Sequence, residues 1–463
     1  MPFSHLGLSD PLLRAVAEQG YTAPTEIQQQ AIPAILAGRD VIAAAQTGTG
    51  KTASFVLPLL QKFSQDEKTV RPKRIRALIL TPTRELAEQV ENNVQQYGQY
   101  VSLTSLAMVG GVDPEPQKQG LIAGVDILVA TPGRLLDMAY QRAVYFDELE
   151  VLVLDEADRM LDMGFIADIN KIIERLPPQR QNLLFSATLS DEVRFLAKTT
   201  IHQPVEISVS PADATVAAID QWLVTVDKDR KSALLSHLIT EHQWQQALIF
   251  IRTKHGAAKL VSQLGKRGIS ADAIHGDRSQ AVRSQILADF KAGKISLLVA
   301  TDIAARGIDI DKLSRVINYD LPDDAADYIH RIGRTGRAGE LGEAVSLVSR
   351  DDFRNLCAIE SRLGHIIARK DIEAFAPKKE VPVSILNYVP KNAKAPRPAK
   401  PGAQRAPSSK RDSRPKASSQ PHKKTEAVAA TKKGGAPRPQ SGPKNASAKV
   451  LSPWAKWESK NKK

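Results

Sequence analysis

Short runs of continuous apolar residues alternate along the chain with stretches of helical periodicity, and each apolar run ends in a polar or glycine-containing motif. Asp40 to Ala44 (DVIAA) leads into AQTGTGKT, Ala77 to Leu80 (ALIL) into Thr81-Pro82-Thr83-Arg84-Glu85, and Asp126 to Ala130 (DILVA) into Thr131-Pro132-Gly133-Arg134. Val151 to Leu154 (VLVL) leads into Asp155-Glu156-Ala157-Asp158, and Asn182 to Phe185 (NLLF) into Ser186-Ala187-Thr188. Apolar runs without polar alternation predict strands covered on both faces, and the periodic segments between them predict helical crossovers. The pattern is therefore that of a parallel α/β sheet, in which ligands collect at the carboxyl ends of the strands. Every motif falls there.

The same pattern returns after the small, polar segment Val209 to Ala218, which reads as a linker. Ala247 to Ile251, Ala271 to Ile274, Ser296 to Ala300, Val316 to Tyr319 and Ala344 to Val348 predict a second parallel sheet. Its motifs include Arg252-Thr253, His275-Gly276-Asp277 and Thr301-Asp302, but no phosphate loop. Ahead of both sheets, Leu12, Leu13, Val16 and Ala17 mark one helical face, Gly20 breaks it, and a second helix starts at Pro24-Thr25-Glu26-Ile27-Gln28 with Thr25 as its cap. These boundaries predict an amino-terminal region over 1–29, a first domain over 30–208, a linker over 209–218, a second domain over 219–377 and a tail over 378–463.

Charge changes this picture in one place. The net +13 of the 463 residues comes from the tail, where 20 Lys and Arg face 3 Asp and Glu between Lys391 and Lys463, while the rest carries 44 against 48. A nucleic-acid groove in the folded part must therefore rest on local placement of charge. The tail has no aromatic residue between Lys391 and Pro453 and too little apolar surface to fold, so it is expected to be disordered; Trp454 and Trp457 interrupt it near the end. A single cysteine, Cys357, excludes an intrachain disulfide or a cysteine-based zinc site. No apolar run approaches the roughly 20 residues that span a bilayer, and the start lacks a leader-like pattern, so a soluble cytoplasmic protein is expected, with no membrane partner.

The candidate chemistry begins at Ala45 to Thr52. A strand, a glycine-rich loop and a helix start in that order are the context of a phosphate-binding loop. Gly48 and Gly50 let the backbone of Gln46, Thr47 and Thr49 turn its N–H groups on one anion, Lys51 would reach the β and γ phosphates of ATP, and Thr52 would offer its hydroxyl to Mg²⁺. Ala45 stands where the general pattern has its first glycine, and an ordinary strand-to-helix turn would share the rest. Asp155 at a strand end would hold Mg²⁺, and Glu156 would orient and deprotonate the attacking water. In HRIGRTGR, Arg334 and Arg337 lie three apart with both guanidinium groups able to meet one γ-phosphate, although a basic loop is also an ordinary solvated face. Gln28 carries an amide able to donate and accept, as adenine reading requires; taken alone it is an exposed helix glutamine.

The ordered set PTEIQ (Pro24 to Gln28), AQTGTGKT, PTRELA (Pro82 to Ala87), Gly110-Gly111, TPGR, DEAD (Asp155 to Asp158), SAT, ARGID (Ala305 to Asp309) and HRIGRTGR resembles a DEAD-box ATP-dependent RNA helicase over residues 1 to about 375. The opening FSHLGLSDPLLRAVAEQGY, the DRMLDMGF after DEAD and the RTKHGA stretch further resemble the bacterial RhlE-type subgroup. The resemblance implies two tandem RecA-like domains that close on ATP and RNA, melting short duplexes or remodelling RNA–protein complexes, with ribosome assembly or RNA turnover as the setting and ribosomal precursors or the RNA-decay machinery as partners. It implies that Gln28, with Tyr21 and Phe3 as an apolar platform, recognises adenine; that Gly307 and Asp309 contact ATP; and that Ser186 and Thr188 couple hydrolysis to strand separation. It also implies that Thr83, Arg84, Gly111, Thr131 and Arg134, and across the cleft Arg252, Gly276, Gln280, Arg283 and Thr301, hold RNA phosphates and 2′-hydroxyls, with little sequence specificity. An ATP-gated clamp, an annealing chaperone driven by the tail and a DNA helicase are the competing functions.

Overall fold

The computed structural model describes residues 2–45, 48–66, 68–209, 219–305, 313–336 and 341–386. Gln46, Thr47, Gly307, Asp309, Arg337, Trp454 and Trp457 lie outside the described residues, as do 210–218 of the expected linker and the tail from 387.

The apolar runs become strands because each is long enough to bury both faces and too short to make a helix. In the first sheet they are β1 (Val41–Ala44), β2 (Ile75–Leu80), β3 (Ser105–Met108), β4 (Val125–Ala130), β5 (Val151–Leu154), β6 (Gln181–Ser186) and β7 (Val205–Ser208). The order is β3-β4-β2-β5-β6-β1-β7 and every pairing is parallel. Successive residues serve opposite faces. Ile79, Val153 and Phe185 join a cluster around Phe55 and Leu57, whereas Leu80, Leu152 and Leu184 join one around Leu135 and Ile169.

The second sheet comprises β8 (Ile219–Thr225), β9 (Ala247–Phe250), β10 (Asp272–Ile274), β11 (Leu297–Ala300), β12 (Arg315–Asn318), β13 (Gly342–Val348) and β14 (Ala368–Arg369), in the order β10-β11-β9-β12-β13-β8-β14. It too is parallel throughout, with Ile249, Val299 and Ile317 on one face and Leu248, Leu298 and Val316 on the other. Both sheets have the parallel α/β build that the resemblance implies. β3, β7, β8 and β14 are absent from the sequence expectation because they sit at or beside sheet edges, where partial exposure replaces the continuous apolar run with mixed polarity.

Folding also continues beyond residue 377, where composition placed the start of the tail. Val381 is buried in a core cluster of the second domain, its carbonyl accepts from Arg369 Nη1 at 2.6 Å, and the Ser384 hydroxyl donates to the Glu360 carboxylate. One anchoring valine and a few polar ties fix this segment, a signal too sparse for composition to register.

Candidate functional site

The helix Glu26–Leu36 starts at Thr25 through a capping box: Gln28 Oε1 accepts from the Thr25 N–H at 2.9 Å. The same buried amide donates from Nε2 to the carbonyl of Gly50 at 3.2 Å, which joins the glutamine motif to the phosphate loop. Gly50 has a φ of +89°, and a Cβ there would strike the Gln28 amide, so both the turn and the approach require glycine. Tyr21 is 47% exposed and its hydroxyl meets that of Tyr97 at 3.3 Å, whereas Phe3 is 7% exposed in the core with Leu6 and Leu8. Phe3 is therefore a core residue; the open face of the expected platform is Tyr21 alone, because the opening turn Phe3–Leu6 buries its apolar side chains.

Ala45, just after β1, is buried, its N–H donating to the Ser186 carbonyl at 3.0 Å. Gly48 (φ +85°) and Gly50 turn the chain into the helix Lys51–Ser64. Lys51 is buried, and its Nζ has no hydrogen-bond partner among the described residues. An ammonium desolvated at a helix start beside a glycine turn suits a phosphate.

Asp155 and Glu156 follow β5 on the same sheet edge. Burial pushes the Asp155 carboxyl up to about 7; Lys51 pulls against this, and the neighbouring Glu156 carboxylate adds to it. Asp155 Oδ1 accepts from the Glu156 N–H at 3.0 Å. Glu156 has a φ of +50°, a left-handed conformation that costs a non-glycine residue about 1–2 kcal/mol and fixes where its carboxylate points. Asp158 then reaches β6: its Oδ2 accepts from Ala187 N, Thr188 N and Thr188 Oγ1 at 3.2, 3.0 and 3.1 Å. Ser186 Oγ donates to the Thr188 carbonyl at 2.7 Å. The DEAD and SAT segments are thus one hydrogen-bonded unit.

The second domain supplies the opposite wall. Glu156, Asp158, Arg159 and Ala187 line one cavity together with His330 and Arg334 from the HRIGRTGR segment. Arg331 is buried and braces that segment, donating to both Asp302 oxygens at 2.6 Å and to the Asp320 carbonyl at 2.6 Å. Arg159, on the first domain, pairs with Asp327 at 2.7 Å and touches the His330 ring, closing the seam beside the cavity.

A second set of residues lies at the ends of β2, β3 and β4. Thr83 and Thr131 begin the helices Arg84–Tyr97 and Pro132–Tyr140. Gly111 (φ +78°) allows the Arg84 guanidinium to lie where a Cβ would stand, and Arg134 donates to Gln117 and to the Val112 carbonyl. In the second domain, Gly276 is exposed and Thr301 half-buried, at the ends of β10 and β11. Arg252 Nη2 donates to the Leu321 carbonyl at 3.1 Å and lies 3.6 Å from Asp352.

Gln280 and Arg283, expected to hold RNA, make a contact that the sequence did not indicate. Glu85, buried in PTRELA, accepts from Gln280 Nε2 at 3.0 Å and pairs with Arg283 Nη2 at 2.9 Å. They clasp the two domains, because a buried carboxylate must be paired. Glu85→Ala is expected to lower RNA-stimulated ATP hydrolysis about tenfold or more while leaving the RNA-free rate within twofold, since it removes two charge-assisted bonds that exist only across the seam; titrating RNA against the ATPase rate measures this.

Residues 25–196 match the family model described as DEAD/DEAH box helicase, and residues 230–339 match the helicase conserved C-terminal domain. The chain is 44% identical over 362 residues to the RNA helicase CrhR of Synechocystis sp., covering 78% of this chain and 72% of that protein. The chain belongs to the DEAD-box RNA helicase family. It is an ATP-dependent RNA helicase, and so an RNA-dependent ATPase. This helicase is also 42% identical over 379 residues to the ATP-dependent rRNA helicase rrp3 of Aspergillus terreus, with 82% and 83% of the two chains covered. Its fold superposes on Saccharomyces cerevisiae Dbp5 bound to RNA and ADP BeF3 with a TM-score of 0.73 at 34% identity, over 80% of this chain and 95% of that one. No helix among the described residues is long and apolar enough to cross a membrane.

The helicase motifs conceal several residues that sequence reasoning passed over. Asp158, Arg159, Glu85, Asp327 and His330 lie inside or beside quoted motifs, yet their partners are 29 to 195 residues away. A charged residue flanking a motif without an assigned task was the one available signal.

Proposed function

We propose that this helicase is of the RhlE type and melts short RNA duplexes, or remodels RNA–protein complexes, by closing its two domains on ATP and one RNA strand. Lys51 and the loop backbone from Ala45 to Thr52 grip the phosphates, and Gln28 with Tyr21 reads the adenine. Thr52 and Asp155 offer hard oxygen donors that suit Mg²⁺, which when bound neutralises phosphate charge. Glu156 orients and deprotonates water, and Arg334 with Arg337 stabilises charge on the γ-phosphate, joined by Gly307 and Asp309 from the second domain. Ser186 and Thr188 transmit the nucleotide state through Asp158. Thr83, Arg84, Gly111, Thr131, Arg134, Arg252, Gly276 and Thr301 hold the strand, with Gln280 and Arg283 completing the groove from the clasp on Glu85. The closed grip excludes a second strand, which leaves.

The observation that carries this reading is the shared cavity of Glu156 and Arg334 beside the Arg159–Asp327 pair: the catalytic set is whole only when the domains meet. A first domain over 30–208 and a second from 219 that extends past 377 to take in Val381 and Ser384, preceded by the glutamine-motif region, fit that division of labour. Ribosome assembly or RNA turnover in the cytoplasm is the setting we infer, the former favoured by the likeness to a protein named as an rRNA helicase. ATP-dependent displacement of a strand from a short RNA duplex, absent with the matching DNA duplex, is the expected result; equal ATPase stimulation by DNA would exclude it.

A further inference from the structure

A concave patch on the first domain lies at the sheet edge opposite the cleft. It is lined by Arg74, Tyr140, Arg142, Tyr145, Asp147 and Arg175, from the entry to β2 and from the turns after the helices Pro132–Tyr140 and Ile166–Ile173. Arg74 precedes β2 and Thr81 follows it, so about 20 Å of strand separates the patch from the cleft residues.

Four aromatic rings are exposed among the described residues, and two of them, Tyr140 at 59% and Tyr145 at 38%, share this surface. Each carries a guanidinium over its ring: Arg175 lies 4.8 Å from the centre of Tyr140, and Arg74 lies 4.8 Å from that of Tyr145. The Tyr145 backbone is fixed by a bridge to Arg74 and a 2.9 Å bond to the Lys73 carbonyl. Arg142 stands between the two tyrosines in chain order with a φ of +54°, and its carbonyl accepts from Lys73 Nζ at 3.4 Å. Arg74 is shared with the Asp147 carboxylate at 3.1 Å. Arg74, Arg142 and Arg175 thus share this ring-bearing surface with one lining carboxylate, Asp147.

We propose that this patch is a second, sequence-tolerant site for single-stranded RNA, engaging a segment of the substrate outside the cleft. Bases stack on the tyrosine–arginine pairs, and phosphates lie against Arg142 and Arg175. An acidic peptide would satisfy the charge but would leave two exposed rings without a purpose; RNA uses both. Bases of every kind have a stacking face, so the site would read no sequence.

The test is photocrosslinking of full-length protein to a single strand of about 30 nucleotides, oligouridylate carrying 4-thiouridine, with peptide mapping and a parallel affinity titration. Crosslinks within residues 139–146 are expected. Tyr140→Ala with Arg175→Ala should abolish them and weaken nucleotide-free binding of this strand about fivefold or more, while Tyr140→Phe retains both. ATPase activity at saturating hexauridylate, too short to span both sites, should not change. Absent crosslinks with unaltered affinity would overturn the proposal. So would protection of these tyrosines by a polyglutamate peptide and not by RNA, which would mark a protein-docking surface.

Discussion

Glu156→Gln is expected to cut RNA-stimulated ATP hydrolysis by about 10²–10⁴-fold, the range associated with losing a positioned proton acceptor. The substitution keeps side-chain length and polarity, and the Glu156 N–H can still donate to Asp155, so the left-handed turn that aims the side chain should persist. RNA binding in the presence of ATP should stay within about twofold of wild type, because the residues at the ends of β2, β3 and β4 do not include Glu156. Single-turnover hydrolysis with RNA, paired with an RNA titration at saturating ATP, separates the two quantities. A variant that hydrolyses ATP at the wild-type rate would remove Glu156 from the chemistry, and one that loses both hydrolysis and RNA binding would point to misfolding.

The second large effect is a pH dependence. Burial raises the Asp155 carboxyl to about 7, and Glu156 contributes to that rise. In the nucleotide-free protein, Asp155 therefore holds a proton through much of the mildly acid range. Because the folded-state value is raised above the ordinary 3.8, the stability linked to that proton is complete below 3.8 and is lost as pH rises towards 7. On the proposed role of Asp155 as a ligand for a divalent cation, nucleotide binding needs the carboxylate, so the linkage for binding has the opposite sign. Affinity for the nucleotide should fall about tenfold for each pH unit below 7 and level off above it. A fluorescent ATP analogue titrated between about pH 5.5 and 8.5 measures this. Asp155→Asn should flatten the curve, and Glu156→Gln should shift its bend to lower pH by removing a like charge. A flat wild-type curve would separate Asp155 from nucleotide binding.

Two sets of described residues tie the domains across their seam. Arg159 with Asp327 lies beside the cavity, and Glu85, just past the end of β2, meets Gln280 and Arg283. Both contacts join residues of the first domain to residues of the second, so they form only when the domains meet. The Glu85→Ala variant tests one clasp without touching the nucleotide.

Much of this was legible in the chain itself. β5 coincides with the VLVL run, and β1, β2, β4 and β6 fall within one or two residues of the apolar runs that predicted them, because a strand buried on both faces leaves an unbroken hydrophobic signature. The phosphate loop, the acidic pair after β5 and the DEAD-box resemblance are likewise contiguous features, readable because their chemistry is local. Tertiary structure alone decided which side chains meet. It bent Gln28 onto Gly50, placed Phe3 in the core, tied Asp158 to the SAT segment and turned Gln280 and Arg283 towards Glu85. The edge strands and the packing of Val381 belong to the same class. Periodicity records whether a residue is covered, and a motif records what it can do; neither records its partner, which is set by chain crossovers that bring distant strand ends to a common edge.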